Sequence, residues 1–160
     1  DMVTVYLLGE QAATVVKSLR EQGYEGIILA NTAVATKPNL KSFGATLAGT
    51  FYSVEYFPTS TLPAAQEFTK AYQQAHGEAP DTFASQGYVA MQYVAAGIDK
   101  AEAKGDVDAA AVGSALAEVG ELDTVWGPLT FDGGQGEAEE FQVVQMDESG
   151  APALWTPPAA

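Results

Sequence analysis

The feature that most constrains the fold is a strand, helix and strand pattern in the first 30 residues. The run MVTVYLL, Met2 to Leu8, is almost unbroken in β-branched and apolar residues, which is typical of a strand covered on both faces in a parallel sheet. Apolar residues at helical spacing follow from Ala12 to Leu19, and Gly23 is the predicted helix stop. A second apolar run, Ile27 to Ala30, predicts a parallel neighbour of the first strand. The predicted class is therefore α/β.

Further elements are predicted downstream of this unit. Gly49 to Phe57 has the aromatic and β-branched content of a strand. Helical patterns then end at Gly77, run from Asp81 to about Ala103 with Asp81 as the cap, and occupy residues 106–120. These elements predict a helical region after the β-α-β unit.

The long helix raises a question about its aromatic residues. Its apolar side chains form one stripe at helical spacing: Tyr88, Met91, Ala95 and Ile98. Phe83 lies in the first turn, where a helix meets whatever lies beyond it. Its ring therefore has two interpretations, packing in the core or contact with a ligand.

The last 40 residues change in character. Short strand-like runs flank a glycine-rich turn, which indicates a hairpin or a chain reversal, and the second run is Phe141 to Met146. We interpret the acidic segment Glu137 to Glu140 as a solvated loop, because DGGQGE lacks the ligand spacing of a calcium loop. The proline-rich tail from Ala151 is predicted to fray or to lie along an edge.

Charge and composition exclude several functions. With 7 basic and 21 acidic residues the net charge is -14, so nucleic acid is not an expected partner. The chain has no cysteine and one histidine, His76 at a predicted helix end, so we expect no catalytic metal and no cofactor. An enzyme is disfavoured because no nucleophile, base and orienting group can be assembled.

The sequence also bears on location. No apolar run approaches the roughly 20 residues that span a bilayer, which predicts a soluble protein. The first residues lack the basic and apolar segments of a signal peptide. We therefore expect that such a peptide has been removed or that the chain has a different natural start.

One loop is a candidate ligand site on topological grounds. Open α/β sheets bind ligands at the carboxyl ends of their strands, and LGEQ, Leu8 to Gln11, lies at such an end, before the first helix. Gly9 can serve either a ligand loop or a plain tight turn. Neither G-x-x-x-x-G-K-[ST] nor G-x-G-x-x-G follows a strand, so no phosphate loop is predicted.

Four segments together resemble a known family. They are VYLLGEQAATVVKSLREQGYEG, AGTFYSVEYFP, FTKAYQQAHGEAPDTFASQGYVAMQYVAAGIDKA and LDTVWGPLTFDGGQGEAEEFQVVQM. The succession F-x-x-x-Y, G-x-x-P, Y-x-A and G-P-L-T-F-D resembles the C-terminal half of the branched-chain amino-acid-binding proteins, which are type I periplasmic binding proteins of ABC importers. The resemblance implies a solute-binding protein outside the cytoplasm, with a small-molecule solute and ABC permease membrane subunits as partners.

The family's organisation implies a division of this chain. Its two α/β lobes close on a solute in the cleft between them. Residues 1 to 52 resemble part of the C-terminal lobe, 53 to 137 part of the N-terminal lobe, and 138 to 160 a returning segment and tail. The first half of the family's chain is missing, so we expect exposed apolar surface, which self-association would cover.

The resemblance also implies ligand contacts. Phe83 lies where relatives place an aromatic residue against the solute, which favours a ligand contact over core packing. Leu8, Gly9 and Glu10 match a loop that touches the ligand in relatives.

One departure from the family pattern concerns the solute. Relatives that bind α-amino acids carry an acidic residue after the second strand, where it pairs with the ammonium group, but Asn31 and Thr32 stand here. An unpaired buried ammonium costs on the order of several kcal/mol. Aromatic acids, amides and other carboxylates therefore join amino acids as expected solutes, and their identity stays open.

A different class of function shares the fold. The same architecture serves as the ligand-sensing domain of receptors and of amide-responsive regulators. The residues quoted above do not separate a transporter component from such a sensor.

Overall fold

A computed structural model describes residues 1–132, 135–139 and 141–157 of the chain. These residues divide into two compact units. Unit 1 comprises Asp1–Val54 together with the described residues from Gln142 onward, and unit 2 comprises Glu55–Phe141. The chain therefore leaves unit 1 once and returns to it.

The helices and strands of the described residues follow one another in a fixed order. In unit 1 they are β1 (Met2–Val5), α1 (Glu10–Glu21), β2 (Ile27–Ala30), a short 3₁₀ helix (Thr32–Ala35), α2 (Lys37–Phe43), a second 3₁₀ helix (Gly44–Leu47) and β3 (Thr50–Val54). Unit 2 contains α3 (Pro63–His76), α4 (Thr82–Ala103), α5 (Ala109–Leu116), β4 (Glu121–Thr124), β5 (Gly127–Asp132) and β6 (Gln135–Ala138). The return to unit 1 adds β7 (Gln142–Met146) and β8 (Pro152–Leu154). None of the described helices has the length and apolar character needed to cross a membrane.

The sheet of unit 1 has the strand order β1-β2-β3-β7-β8 within the described residues. The first three strands are parallel, and β7 and β8 are added in antiparallel pairing. Arg20 orders the connection between α1 and β2, because its guanidinium donates to the carbonyl oxygens of Tyr24 and Gly26 at 2.7 and 2.9 Å. The parallel pairing of β1 with β2 confirms the α/β class that the first 30 residues predict.

β1 is shorter and less covered than its sequence predicts. The run Met2 to Leu8 indicated a strand buried on both faces, but β1 ends at Val5, which is its one buried residue. β1 lies at the edge of the sheet and therefore has a neighbour on one side. The prediction of two covered faces is wrong for this strand, and Leu8 beyond it is 80% exposed.

Unit 2 combines α3, α4 and α5 with an antiparallel sheet of order β4-β5-β6 in the described residues. Its core is a cluster of buried residues: Tyr56, Ala65, Phe68, Val89, Val125 and Leu129. The ring of Phe68 lies edge-on to Tyr56, with 5.5 Å between the ring centroids. α3 ends at His76 before Gly77 in the left-handed conformation, as the sequence predicts.

The apolar stripe of α4 is not its buried face. Four of its side chains are exposed: Tyr88, Met91, Ala95 and Ile98. The buried face carries smaller residues: Ser85, Val89, Gly97 and Ala101. A Cβ at Gly97 would lie 2.5 Å from a methyl carbon of Leu116 in α5, so close approach of the two helices selects this face. Of the stripe, Tyr88 contacts the ring of Phe68 in α3, with 4.8 Å between the ring centroids.

The hairpin, one of the two alternatives predicted for the runs that flank the glycine-rich turn, does not form between those two runs. β5 pairs with β6, whereas the run Phe141 to Met146 supplies β7, which joins β3 in unit 1. Glu137, predicted to lie in a solvated loop, is therefore an exposed residue of a strand. The tail forms the edge strand β8, which is one of its two predicted alternatives. Gly133, Gly134, Glu140 and the last three residues lie outside the described residues.

Candidate functional site

The first candidate loop connects β1 to α1, at the carboxyl end of β1. Gly9 precedes the first residue of α1 with φ of 53°, where a residue with a Cβ would be strained. Leu8 and Glu10 on either side are exposed. The carboxylate of Glu10 is favoured at a helix N-terminus, because the first backbone N–H groups carry partial positive charge. The loop thus presents one acidic side chain at the N-terminus of α1.

The second candidate loop begins with Asn31 and Thr32, which follow β2. The Asn31 N–H donates to the carbonyl oxygen of Val5 at 3.2 Å, which ties the ends of the two strands together. Both side chains are half-buried. The Oδ1 atom of Asn31 is buried and has no hydrogen-bond partner among the described residues. An unsatisfied buried acceptor costs about 1–3 kcal/mol, which a donor from a water or a solute would recover.

A buried side chain of α2 connects the two loops. The Nδ2 atom of Asn39 donates to the carbonyl oxygens of Gly9 at 3.1 Å and of Ala33 at 2.8 Å. The structure therefore brings Leu8–Glu10 and Asn31–Thr32 to the same edge of the unit 1 sheet. No sequence motif marks Asn39. The available signal is a polar residue at a buried helical position, which can be read only when the packing is known.

An open depression of about 380 Å³ lies beside the first loop. It is lined by Leu7, Glu10, Gln11, Thr14 and Val15. Glu10 is the one predicted site residue in this lining, and the lining contains no residue of the second loop. The depression follows α1 and does not unite the two loops, so we do not identify it as the candidate site.

Phe83 lies in unit 2, at the second residue of α4. Asp81 caps this helix as the sequence predicts, because its carboxylate accepts from the Ala84 N–H at 2.9 Å. The ring of Phe83 is 47% exposed and lies outside the buried cluster. Within the described residues, Phe83 therefore lies outside the buried core of unit 2, and contact with a ligand stays a prediction.

The first turn of α4 is held by a connected set of hydrogen bonds. The hydroxyl of Thr82 donates to the Tyr56 carbonyl oxygen at 3.0 Å. The buried hydroxyl of Ser85 donates to the Thr82 carbonyl oxygen at 2.7 Å and accepts from the indole N–H of Trp126 at 3.0 Å. Phe83 therefore projects from a firmly anchored turn.

Two titratable side chains near these elements are Tyr56 and His76. Burial raises the pKa of Tyr56, against the opposing effect of its hydrogen bond with Thr69, so its phenol stays neutral at physiological pH. His76 is exposed at the end of α3. Across the described ranges, no group of three or more His, Cys, Asp or Glu side chains is placed to hold a metal. The candidate residues offer backbone groups, neutral polar side chains, a carboxylate and an aromatic ring.

These features define the class of the protein. A sheet with parallel strands that gathers polar residues in loops at its carboxyl edge is typical of proteins that bind small solutes. The sequence profile of a family described as Periplasmic binding protein matches residues 1–151. The chain belongs to this family.

Solved structures show the same fold at low sequence identity. A leucine binding protein from Thermotoga maritima has a TM-score of 0.83 and 18% identity, over 97% of this chain and 43% of that one. A branched-chain amino acid transporter substrate binding protein from Streptococcus pneumoniae, in complex with isoleucine, has a TM-score of 0.77 and 20% identity over 98% and 45%. A solute binding protein of an ABC transporter from R. palustris, in complex with benzoate, has a TM-score of 0.74 and 21% identity over 96% and 42%.

The extent of these matches limits what they establish. The chain spans less than half the length of the three solved proteins. No curated protein matches its sequence. The similarity therefore establishes the family and the type I periplasmic binding protein fold.

Proposed function

We propose that the chain is part of the solute-binding component of an ABC-type importer. The observation that carries this proposal is the convergence of Leu8–Glu10 and Asn31–Thr32 at the carboxyl edge of the unit 1 sheet. That edge is where open α/β sheets bind their ligands. The proposed role is binding without catalysis, outside the cytoplasm, with a small solute and the membrane permease as partners.

The proposed correspondence with the family's lobes has three parts. Residues 1–52 are part of the C-terminal lobe, 53–137 are part of the N-terminal lobe, and 138–160 are the returning segment. The two compact units support this assignment, because they divide the described chain after Val54 and before Gln142, close to both proposed boundaries. Phe83 is the proposed contribution of the second part to solute recognition.

The proposed solute is an aromatic acid, an amide or another carboxylate. Asn31 and Thr32 are neutral, so they can hydrogen-bond such a solute but offer no counter-charge to an ammonium group. Leaving a buried charge unpaired costs about 3–5 kcal/mol. The exposed ring of Phe83 supplies an aromatic contact. Glu10 is the acidic side chain among the candidates, and it is the residue that would pair with an amino acid's ammonium.

Thermal unfolding of the protein in its full natural length tests this function. A solute that binds only the native state at 100 times its Kd adds about 2.7 kcal/mol and raises the midpoint. We expect benzoate or benzamide to raise Tm more than L-leucine does. Glu10→Gln is the matched variant, which should leave the effect of benzamide unchanged.

The possible outcomes test the proposed solute class and the proposed binding role separately. If L-leucine alone raises Tm and Glu10→Gln removes that shift, the proposed solute class is wrong while the binding role stands. If no amino acid, aromatic acid or amide changes Tm, the binding role is contradicted.

A further inference from the structure

The two candidate loops of unit 1 are separate in sequence and are joined through a third element. Residues 6–9 follow β1, and residues 31–36 follow β2. The backbone hydrogen bond from Asn31 to Val5 fixes the strand ends and stops short of Gly9. Apart from the side chain of Asn39, the described residues show no hydrogen-bonded link between these two loops. Within the described residues, Asn39 of α2 is therefore the direct hydrogen-bonded link between the two loops.

The chemistry of this link requires a primary amide. Both partners of Asn39 are carbonyl oxygens, so both hydrogen bonds use the two N–H groups on its one nitrogen. A hydroxyl has one donor, and a lysine would bring a charge into a position that is 2% exposed. Burial also excludes water, which would otherwise compete for the same carbonyl groups. Asn39 is thus a neutral double donor in a dry position.

The link also explains why α2 is present at this edge. α2 contains seven residues and is too short to be stable without tertiary packing. Asn39 is its buried residue, flanked by the exposed Pro38 and the half-buried Leu40. α2 therefore places the amide of Asn39 between the two loops, where it bonds to Gly9 in one loop and to Ala33 in the other.

We infer that Asn39 is a positioning residue that holds the two candidate solute-binding loops of unit 1 in a fixed mutual arrangement. Its side-chain amide donates to the backbone carbonyl oxygens of Gly9 and Ala33, and it acts through the backbone of these two residues. The inference rests on the proposed function for the meaning of the loops as a binding surface. The link itself is a property of the 160-residue chain and can be tested without a solute.

The test compares local order in three variants by backbone NMR. Asn39→Ala removes both hydrogen bonds, and Asn39→Ser keeps a polar group with one donor. Thr50→Val is the matched control, because Thr50 is fully buried in the same sheet and its hydroxyl has no partner among the described residues. Hydrogen exchange is read at the amides of Asn31 and Val34, and order parameters are read at Gly9 and Glu10.

The expected result is selective. In Asn39→Ala the amides of Asn31 and Val34 exchange at least tenfold faster, beyond any change in β3, and the order parameters at Gly9 and Glu10 fall. Asn39→Ser gives a smaller change in the same residues, and Thr50→Val gives none. Faster exchange spread evenly over unit 1, or unchanged exchange in both Asn39 variants, would overturn the positioning role.

A second measurement separates this inference from the proposed function. Benzoate and L-leucine are titrated into the full-length protein and its Asn39→Ser variant. If either probe binds, we expect at least a tenfold rise in Kd with Asn39→Ser. If the variant loosens the loops but the Kd is unchanged, the loops are not the binding surface, and the proposed site fails while the link stands.

Discussion

The two units hold their candidate residues in different ways. In unit 1, two loops share one buried connection, the amide of Asn39. In unit 2, the turn that carries Phe83 is held by the Asp81 cap, by Thr82 and by the pair of Ser85 with Trp126. One side chain therefore performs in unit 1 a task that several side chains share in unit 2.

The difference shows how hydrogen-bond connectivity governs sensitivity to substitution. Where several bonds restrain the same backbone, removal of one leaves the others in place, and the geometry survives. Where one nitrogen restrains two segments, a single substitution releases both. In unit 2, a substitution that removes one of these bonds should therefore lower stability without changing the geometry of the site. In the loops of unit 1, substitution of Asn39 should change both.

The largest expected effect distinguishes, within unit 2, a ring that packs in the core from a ring that is exposed. Phe68 is 7% exposed and lies between the rings of Tyr56 and Tyr88, with centroids 5.5 and 4.8 Å away. Phe68→Ala should cost about 3–5 kcal/mol of unfolding free energy, because it leaves a cavity. Phe83→Ala is the matched control, and its cost should stay within about 0.5 kcal/mol, since its ring is half exposed. Denaturant unfolding of the two variants measures both values.

The same pair sharpens the assignment of Phe83. In the full-length protein, Phe83→Ala should weaken solute binding by about 1–3 kcal/mol, the scale for the loss of an aromatic contact. A large unfolding penalty with unchanged solute affinity would contradict the ligand contact.

A smaller expected effect tests whether several hydrogen bonds together hold the first turn of α4. Ser85→Ala removes the acceptor of the Trp126 indole N–H, and an unsatisfied donor costs about 1–3 kcal/mol. The Asp81 cap and the Thr82 bond remain, so we expect the amide of Ala84 to keep its protection in hydrogen exchange. If Ser85→Ala exposes Ala84 as strongly as Asn39→Ala exposes Val34, the contrast between the units is wrong.

The smallest expected effect concerns Asp147, whose carboxylate accepts several hydrogen bonds but is not buried. The carboxylate of Asp147 accepts from the Ser149 hydroxyl at 2.6 Å, from the Ser149 N–H at 2.8 Å and from the Ala151 N–H at 2.9 Å. These bonds hold the pKa of Asp147 below its usual value, the Ser149 hydroxyl having the largest effect. Because Asp147 is fully exposed, water competes for each bond, and its contribution is smaller than that of Asn39.

The pH dependence of Asp147 follows from the direction of its pKa shift. A carboxyl group with a lowered pKa in the folded state contributes stability above its unfolded pKa of about 3.9, and this contribution is lost as the pH falls through the lowered value. We expect Asp147→Asn to be slightly less stable than the wild type at neutral pH and equally stable in strong acid. Unfolding curves at both pH values check this, and a difference that is independent of pH would contradict it.

Sequence patterns recover the local structure of this chain well. The β-α-β unit at residues 1–30, the cap at Asp81 and the stop at Gly77 were all predictable, because each depends on periodicity or on the backbone preference of one residue. The packing face of α4 was not predictable in this way. Its most apolar stripe is exposed, since small residues such as Gly97 decide which face a neighbouring helix can approach.

The candidate site was predictable in part. Topology directed attention to Leu8–Gln11, and the family resemblance directed it to Leu8, Gly9 and Glu10. The structure links this loop through Asn39 to the loop that begins with Asn31. Asn39 was not predictable, because a lone asparagine in a short helix has no distinguishing pattern until its two carbonyl partners are known. The partner of β7 was also missed, since periodicity identifies a strand but carries no information on which distant strand it joins.

The pairing of β3 with β7 has a consequence for the order of folding. Phe51 lies opposite Gln145, and the whole of unit 2 lies between these two strands in the sequence. Pairing of the two strands therefore closes a loop that contains all of unit 2. Contacts so distant in sequence form slowly, because a long loop must close before they contribute. Unit 2 is one uninterrupted segment with local helix and hairpin contacts, and during synthesis it is complete before β7 leaves the ribosome. We expect pulse-labelled hydrogen exchange to protect β5 before β7, so that the sheet of unit 1 is finished last although it is begun first.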